Sequence, residues 1–192
     1  MVADSHRLFM SVEEYLELDR GSLDARYEFI DGVVTMLAGG TADHSTISIN
    51  VIGLLRDLLR DGPCRVYNSD LTVRLAETRY VYPDASISCD SGDRGQVDTV
   101  QSPCLVVEVL SPSTEAYDRG KKFRYYQSSS TIQEYVLVSA QEQAVDVYRR
   151  ATDNLWTLHP FGPDDEVELK SINVRFPIAS VYEDVIFPGD GA

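Results

Sequence analysis

Basic residues are scarce in this chain: 17 lysines and arginines stand against 31 aspartates and glutamates, a formal net charge of −14 over 192 residues. Proteins that grip nucleic acid non-specifically usually show the opposite balance, so a generally basic surface is excluded and only a local groove remains open to that role. The same acidity equally suits a solubility-biased surface. Long apolar runs are missing too, and none approaches the roughly 20 residues that cross a bilayer. The opening MVADSHRLFMSVEEYLELD has neither the basic nor the apolar region of a secretory leader, so the expectation is a cytoplasmic protein without a membrane span. Cysteine is limited to Cys64, Cys89 and Cys104, an odd number with no CxxC pair and no Cys/His cluster of zinc spacing. They read as reduced thiols near strand ends. Repeats and low-complexity segments are absent.

What is present is ordinary globular material, 43% hydrophobic and 25% charged, of a length that suits one domain over residues 1–192. Ser11 caps a helix running to Asp19, and RYEFIDGVVTML reads as a hairpin turning at Asp31–Gly32. Asp43 or Ser45 is placed to cap a second helix, whose apolar face is Ile47, Val51, Leu54, Leu55 and Leu58. Three strands follow, CRVYNSDLTVRL, RYVYPDASISC and CLVVEVLS, with the polar connection SGDRGQVDTVQSP as a surface loop. A helix spans roughly Thr114 to Gln127, EYVLVS is a strand covered on both faces, and a hairpin turns at Asp153–Asn154. One or two more strands lie beyond Glu166. This order predicts an α/β (α+β) fold, a mixed sheet flanked by helices with an appended C-terminal hairpin region.

Chemistry concentrates between Tyr80 and Lys122. Asp84 and Glu108 each interrupt an apolar, strand-like run, and buried carboxylates are costly unless they are paired or bind a metal. Pro83 cannot donate to a ladder and marks an edge or bulge, although PDAS also reads as a turn in which Asp84 satisfies backbone amides. Glu108 belongs in a central strand, where it needs either an arginine or a cation. A hard divalent ion such as Mg²⁺ takes carboxylates, a backbone carbonyl and waters. Asp84, Glu108 and the carbonyl of Val109 would supply that set. Beyond the strand, Asp118 and Lys122 stand at i, i+4 on one helix face. They form either a surface ion pair or a lysine poised over a metal to orient water or offset charge on a phosphorane. Helical geometry alone does not choose between Lys121 and Lys122.

YEFIDG, the DH at the start of the second helix, YPDASI, LVVEVLSPSTEAYDRGKKF and EYVLV, in that order, resemble the Uma2 family of the PD-(D/E)XK nuclease superfamily. The resemblance covers roughly Ser11 to Arg150. It implies a restriction-endonuclease-like fold, Asp84 and Glu108 as metal-binding carboxylates, and Lys122 rather than Lys121 as the catalytic lysine. The superfamily pattern puts a lysine two residues after the glutamate, where this chain has Leu110, so the resemblance implies a lysine moved onto the helix. It also brings in Glu28, from YEFIDG, as an upstream acidic residue, and His44 at the helix start; Glu28 reads equally as a structural ion pair. Asp70 is a weaker neighbour, and His6 and His159 read as peripheral.

The expected activity is an Mg²⁺- or Mn²⁺-dependent endonuclease acting on nucleic acid, with DNA as substrate and a homodimer as the arrangement that cuts two strands. A catalytically inactive nuclease-fold interaction module is favoured instead by the −14 charge and Leu110. A phosphoesterase acting on a smaller substrate is the third reading.

Overall fold

Ser11 opens the first helix because its hydroxyl accepts from Glu14 N while the Glu14 carboxylate accepts from Ser11 N, satisfying two otherwise orphaned amides. In the computed structural model, which describes residues 8–37, 39–95 and 97–187, this cap joins β1 (Leu8–Phe9) to α1 (Val12–Gly21). His6 lies outside the described residues. The hairpin follows as β2 (Tyr27–Ile30) and β3 (Val33–Met36), and both turn residues are left-handed, Asp31 at φ 49° and Gly32 at φ 91°. The second helix, α2 (Ala42–Leu58), is capped earlier than expected, by Thr41, whose hydroxyl accepts from His44 N. Its inner face is Ile47, Val51 and Leu55; Leu58 rotates out to 44% exposure and Leu59 turns in.

The two runs expected as single long strands are each broken in two. The first becomes β4 (Arg65–Asn68) and β5 (Thr72–Ala76), the second β6 (Arg79–Val81) and β7 (Ala85–Ser88). At each break the chain leaves one sheet for the other. One six-stranded sheet has the order β1-β3-β2-β6-β5-β8, where β8 (Thr99–Val100) pairs parallel to β5 inside the segment expected to be a loop. The other six-stranded sheet has the order β12-β11-β10-β9-β7-β4, built on β9 (Pro103–Leu110) and its parallel neighbour β10 (Glu134–Ser139). The hairpin β11 (Val145–Arg150) and β12 (Trp156–Phe161) extends that sheet, and β13 (Glu166–Leu169) with β14 (Val174–Pro177) forms a separate ribbon. The fold is the expected mixed α/β architecture. Among the described residues no helix is long and apolar enough to cross a membrane.

Alternation on β9 assigns its two faces. Leu105, Val107 and Val109 pack into a core with α2 and the C-terminal ribbon. Val106 and Leu110 enter a second core with β5, β10 and the helical segment that follows β9. That segment is α3 (Glu115–Tyr117), a π-helical turn over Asp118–Lys122, and α4 (Phe123–Ser128). Glu108 shares the face of Val106 and Leu110, so it points at this covering segment.

The reading of three reduced thiols is corrected for two of them. Arg65 pairs with Ser88, so the next position outward sets Cys64 opposite Cys89, and the two form a disulfide. Strand register, invisible in the spacing of cysteines, brings them together. Cys104 remains a free thiol 3.7 Å from Cys89 Sγ, and burial pushes it up to about 11, so it stays protonated and unreactive near neutrality. The disulfide closes a loop of 25 residues, for which chain entropy gives about 3 kcal/mol of stabilisation. Reduction is therefore expected to lower unfolding stability by that order. Alkylation under denaturing conditions should label one thiol before reduction and three after; three without reduction would refute the pairing.

Candidate active site

Glu108 sits within β9 with 5% exposure, and two groups from the helical segment close over it. Lys122 Nζ donates to Glu108 Oε1 at 2.7 Å, and Tyr126 Oη donates to the same oxygen at 2.5 Å. Lys122 also reaches Glu28 Oε1 at 2.9 Å, and Glu28 accepts from Tyr82 N. Glu28 arrives from β2, in the other sheet, so this one ammonium ties the two sheets together. Lys121, its neighbour, is exposed. Of the two lysines, Lys122 is the one buried against these carboxylates.

The π-helical turn explains how Lys122 gets there. Turns of this kind insert a residue into a helix and often accompany functional sites. Here the turn presents Asp118 and Lys122, both buried, toward the carboxylates. The expected direct Asp118–Lys122 pair is replaced: the ammonium bonds to Glu28 and Glu108, and Asp118 acts on it through its field at longer range.

Asp84 stands at the sheet crossing, immediately before β7, where Pro83 has no amide to keep a ladder going. Its Oδ2 accepts from Val109 N at 2.7 Å, fixing it beside the strand that carries Glu108. His44 Nε2 lies 3.4 Å from the same oxygen, delivered by the first turn of α2. Hydrogen bonding to Asp84 pushes the His44 imidazole above its usual range against the opposing effect of burial, and a backbone bond to Val109 adds to it. All five residues expected at the site, Glu28, His44, Asp84, Glu108 and Lys122, therefore converge, together with the Val109 backbone.

Charge in this cluster is unbalanced. Glu28, Glu108 and Asp118, each at most 5% exposed, act on one lysine, and Asp84 adds its charge to Glu108 from beside His44. Burial pushes Glu108 well above the usual carboxylate range; Lys122 pulls it back, and Asp118, Asp84 and Glu28 push it up further. Burial alone would lower Lys122, yet Glu108, Glu28 and Asp118 together outweigh it and hold the ammonium charged. Other buried acids in the chain look different. Glu134 accepts from Arg149, Lys170 N, Ser171 N and Ser171 Oγ, and Asp93 from Ser88, Gln101 N and Ser102 N. Those two are saturated by donors and hold loops. The Glu108 cluster has too few.

Asp84 and Glu108 use Oδ2 and Oε1 for the contacts above, which leaves Asp84 Oδ1 and Glu108 Oε2 without partners among the described residues. A hard cation fits such a donor set, with the Val109 backbone alongside. Among the described residues no group of three or more His, Cys, Asp or Glu side chains is placed to hold a metal ion, so a cation here would rest on two carboxylates, a carbonyl and waters.

Two participants are not evident in the sequence. Tyr126 is fully buried, and desolvation keeps its hydroxyl protonated as a donor to Glu108. Its only signal is its place four residues after Lys122, on the same helix face. Asp118 reads from the sequence only as the lysine's ion-pair partner. Asp70 is exposed and paired with Arg26, and His159 lies on β12 hydrogen-bonded to Thr157.

The family model described as "Putative restriction endonuclease", Uma2, matches residues 12–179. The "Uncharacterized protein slr1290" of Synechocystis sp. strain PCC 6803 is 40% identical over 179 residues, covering 93% of this chain and 94% of that protein. A second Synechocystis protein, "Uncharacterized protein sll1609", is 29% identical over 170 residues, covering 86% and 95%. Among solved structures, a "putative nuclease belonging to DUF820" from Anabaena variabilis superposes with a TM-score of 0.76 at 19% identity, covering 92% of this chain and 99% of that one, a likeness of fold. By a family match across most of its length, the chain belongs to the Uma2 family.

Proposed function

We propose that this protein is a divalent-metal-dependent nuclease hydrolysing phosphodiester bonds, with DNA as its substrate and the chain read as one nuclease domain. The observation that carries the reading is the excess of buried carboxylate around Lys122, a site short of positive charge beside two carboxylates with unused oxygens. Asp84, Glu108 and the Val109 carbonyl would hold Mg²⁺ or Mn²⁺. When bound, the metal would supply Lewis acidity toward the phosphate and a lowered pKa for its water. Lys122 Nζ, held between Glu28 and Glu108, offsets charge on the phosphoryl oxygens. Tyr126 and Val109 N keep the two carboxylates aimed. His44, whose side chain is 21% exposed, would give up or accept a proton in the reaction. A homodimer would place two such centres on a duplex.

The test is plasmid nicking with Mg²⁺ or Mn²⁺ and with EDTA, comparing wild type, Asp84→Ala and Lys122→Ala. Cleavage should need metal and should vanish in both variants; equal cleavage by all three would mark a contaminant and end the proposal. The −14 charge and Leu110 favour a non-catalytic module as the second reading. In that case calorimetry should detect no divalent-ion binding that depends on Asp84 or Glu108.

A further inference from the structure

A groove of about 990 Å³ opens between the C-terminal half of α2, the edge strand β4 and the loop after β7. Four of the chain's few basic residues, Arg56, Arg60, Arg65 and Arg94, line it against one acidic side chain, Asp57. In a molecule of net charge −14 this local reversal stands out. Arg60 is taken by Asp57. The other three guanidinium groups have no carboxylate partner among the described residues. Arg65 Nη1 donates to the carbonyls of Gly62 and Cys64, and Arg94 Nη2 to that of Pro63. Those bonds orient the two groups while leaving most of their donors and all of their charge unspent. Arg56 and Arg60 on their own would be explained as cations stabilising a helix C-terminus. Arg65 and Arg94 come from a strand and a separate loop, and that explanation does not cover them.

The position of the groove matters as much as its charge. β4 runs antiparallel to β7, with Arg65 opposite Ser88 and Asn68 opposite Ala85. Ala85 follows Asp84 directly, and Asn68 lines the groove. From Asn68 to Arg65 the strand advances about 10 Å, so the groove leads away from Asp84 over a length that a short run of backbone phosphates would cover.

We propose that this groove is the track for the phosphodiester backbone of the nucleic acid flanking the bond presented to Asp84 and Glu108. The inference rests on the nuclease reading and extends it: Arg56, Arg65 and Arg94 engage the backbone locally along β4 while the rest of the surface repels polyanions. Such an engagement confers affinity and register without base specificity.

The experiment is fluorescence anisotropy with a labelled 20-base-pair duplex in EDTA, where binding is read apart from cleavage. The triple variant Arg56→Ala/Arg65→Ala/Arg94→Ala should bind at least tenfold more weakly. Its slope of log K against log salt should fall by about 2 to 3, since each phosphate that is no longer neutralised removes about 0.9. Arg56→Glu, at an exposed position with no ion-pair partner among the described residues, should bind several-fold more weakly at unchanged Tm, and Arg56→Lys should bind like wild type. Wild-type affinity and slope in the triple variant, or no duplex binding by wild type, would overturn the proposal. Metal-dependent cleavage with unaltered binding in the triple variant would remove the groove and leave the nuclease. Weakened binding in the triple variant of a protein that never cleaves would do the reverse.

Discussion

Glu108→Gln is expected to lower metal-dependent cleavage at least about a hundredfold, the scale of removing one charged element from a preorganised site, while leaving the fold as stable as wild type or more so. Glutamine keeps the shape and the acceptor that Lys122 and Tyr126 use, and removes one of four crowded negative charges. The pH dependence has a definite sign. Because the folded state holds the Glu108 carboxyl above its unfolded range, folding favours the protonated form. Wild-type stability from this group is therefore greatest in acid and declines as pH rises from the unfolded value of about 4.3 toward the raised folded one. The glutamine variant lacks that decline, so its advantage should widen from pH 4 to pH 7. Thermal melts across that range, beside nicking assays, check both halves. A variant much less stable at pH 7 would show that Glu108 is a structural partner of Lys122, and that the crowding argument is wrong.

Lys122→Met has the largest expected effect on stability. Methionine fills much the same volume and removes the cation on which Glu28 and Glu108 both depend, stranding buried carboxylates at a cost of about 3–5 kcal/mol. For a chain of this size that is a fall in Tm on the order of 10 °C. Cleavage should be lost as well. Added Mg²⁺ should restore part of the melting temperature, because a divalent ion relieves the same repulsion. The double variant Lys122→Met/Glu108→Gln should recover much of the lost stability, since neighbouring charges couple strongly in such cycles. If Lys122→Met melts like wild type, the ammonium is not the counter-ion of this cluster.

The carboxylates are legible in the chain because their signal is local: each breaks an apolar run that has no other use for a charge. The lysine is half legible. An i, i+4 spacing places Asp118 and Lys122 together on an ideal helix, but the segment is π-helical there, and which lysine turns inward is decided by packing against β9. Tyr126 is hidden because a tyrosine in KKFRYYQ looks like core, and core it is, apart from one hydroxyl. The disulfide and β8 are illegible for one shared reason. Both depend on register between distant strands, Arg65 against Ser88 and Thr72 against Thr99, and no short window contains both partners. The strand breaks at 69–71 and 82–84 are marked only by Pro83 and by polar residues, which also suit a bulge within one strand.

The distribution of the centre over β2, α2, the crossing before β7, β9 and the π-helical turn bears on how such a protein is made. Lys122 stands further along the chain than every carboxylate it gathers. A nascent polypeptide that has emerged only as far as β9 carries Glu28, Asp84 and Glu108 and no ammonium to draw them together. On the nuclease reading, an interrupted translation product that ends before the turn is inert, and the enzyme becomes armed only when the helical segment closes over the strand.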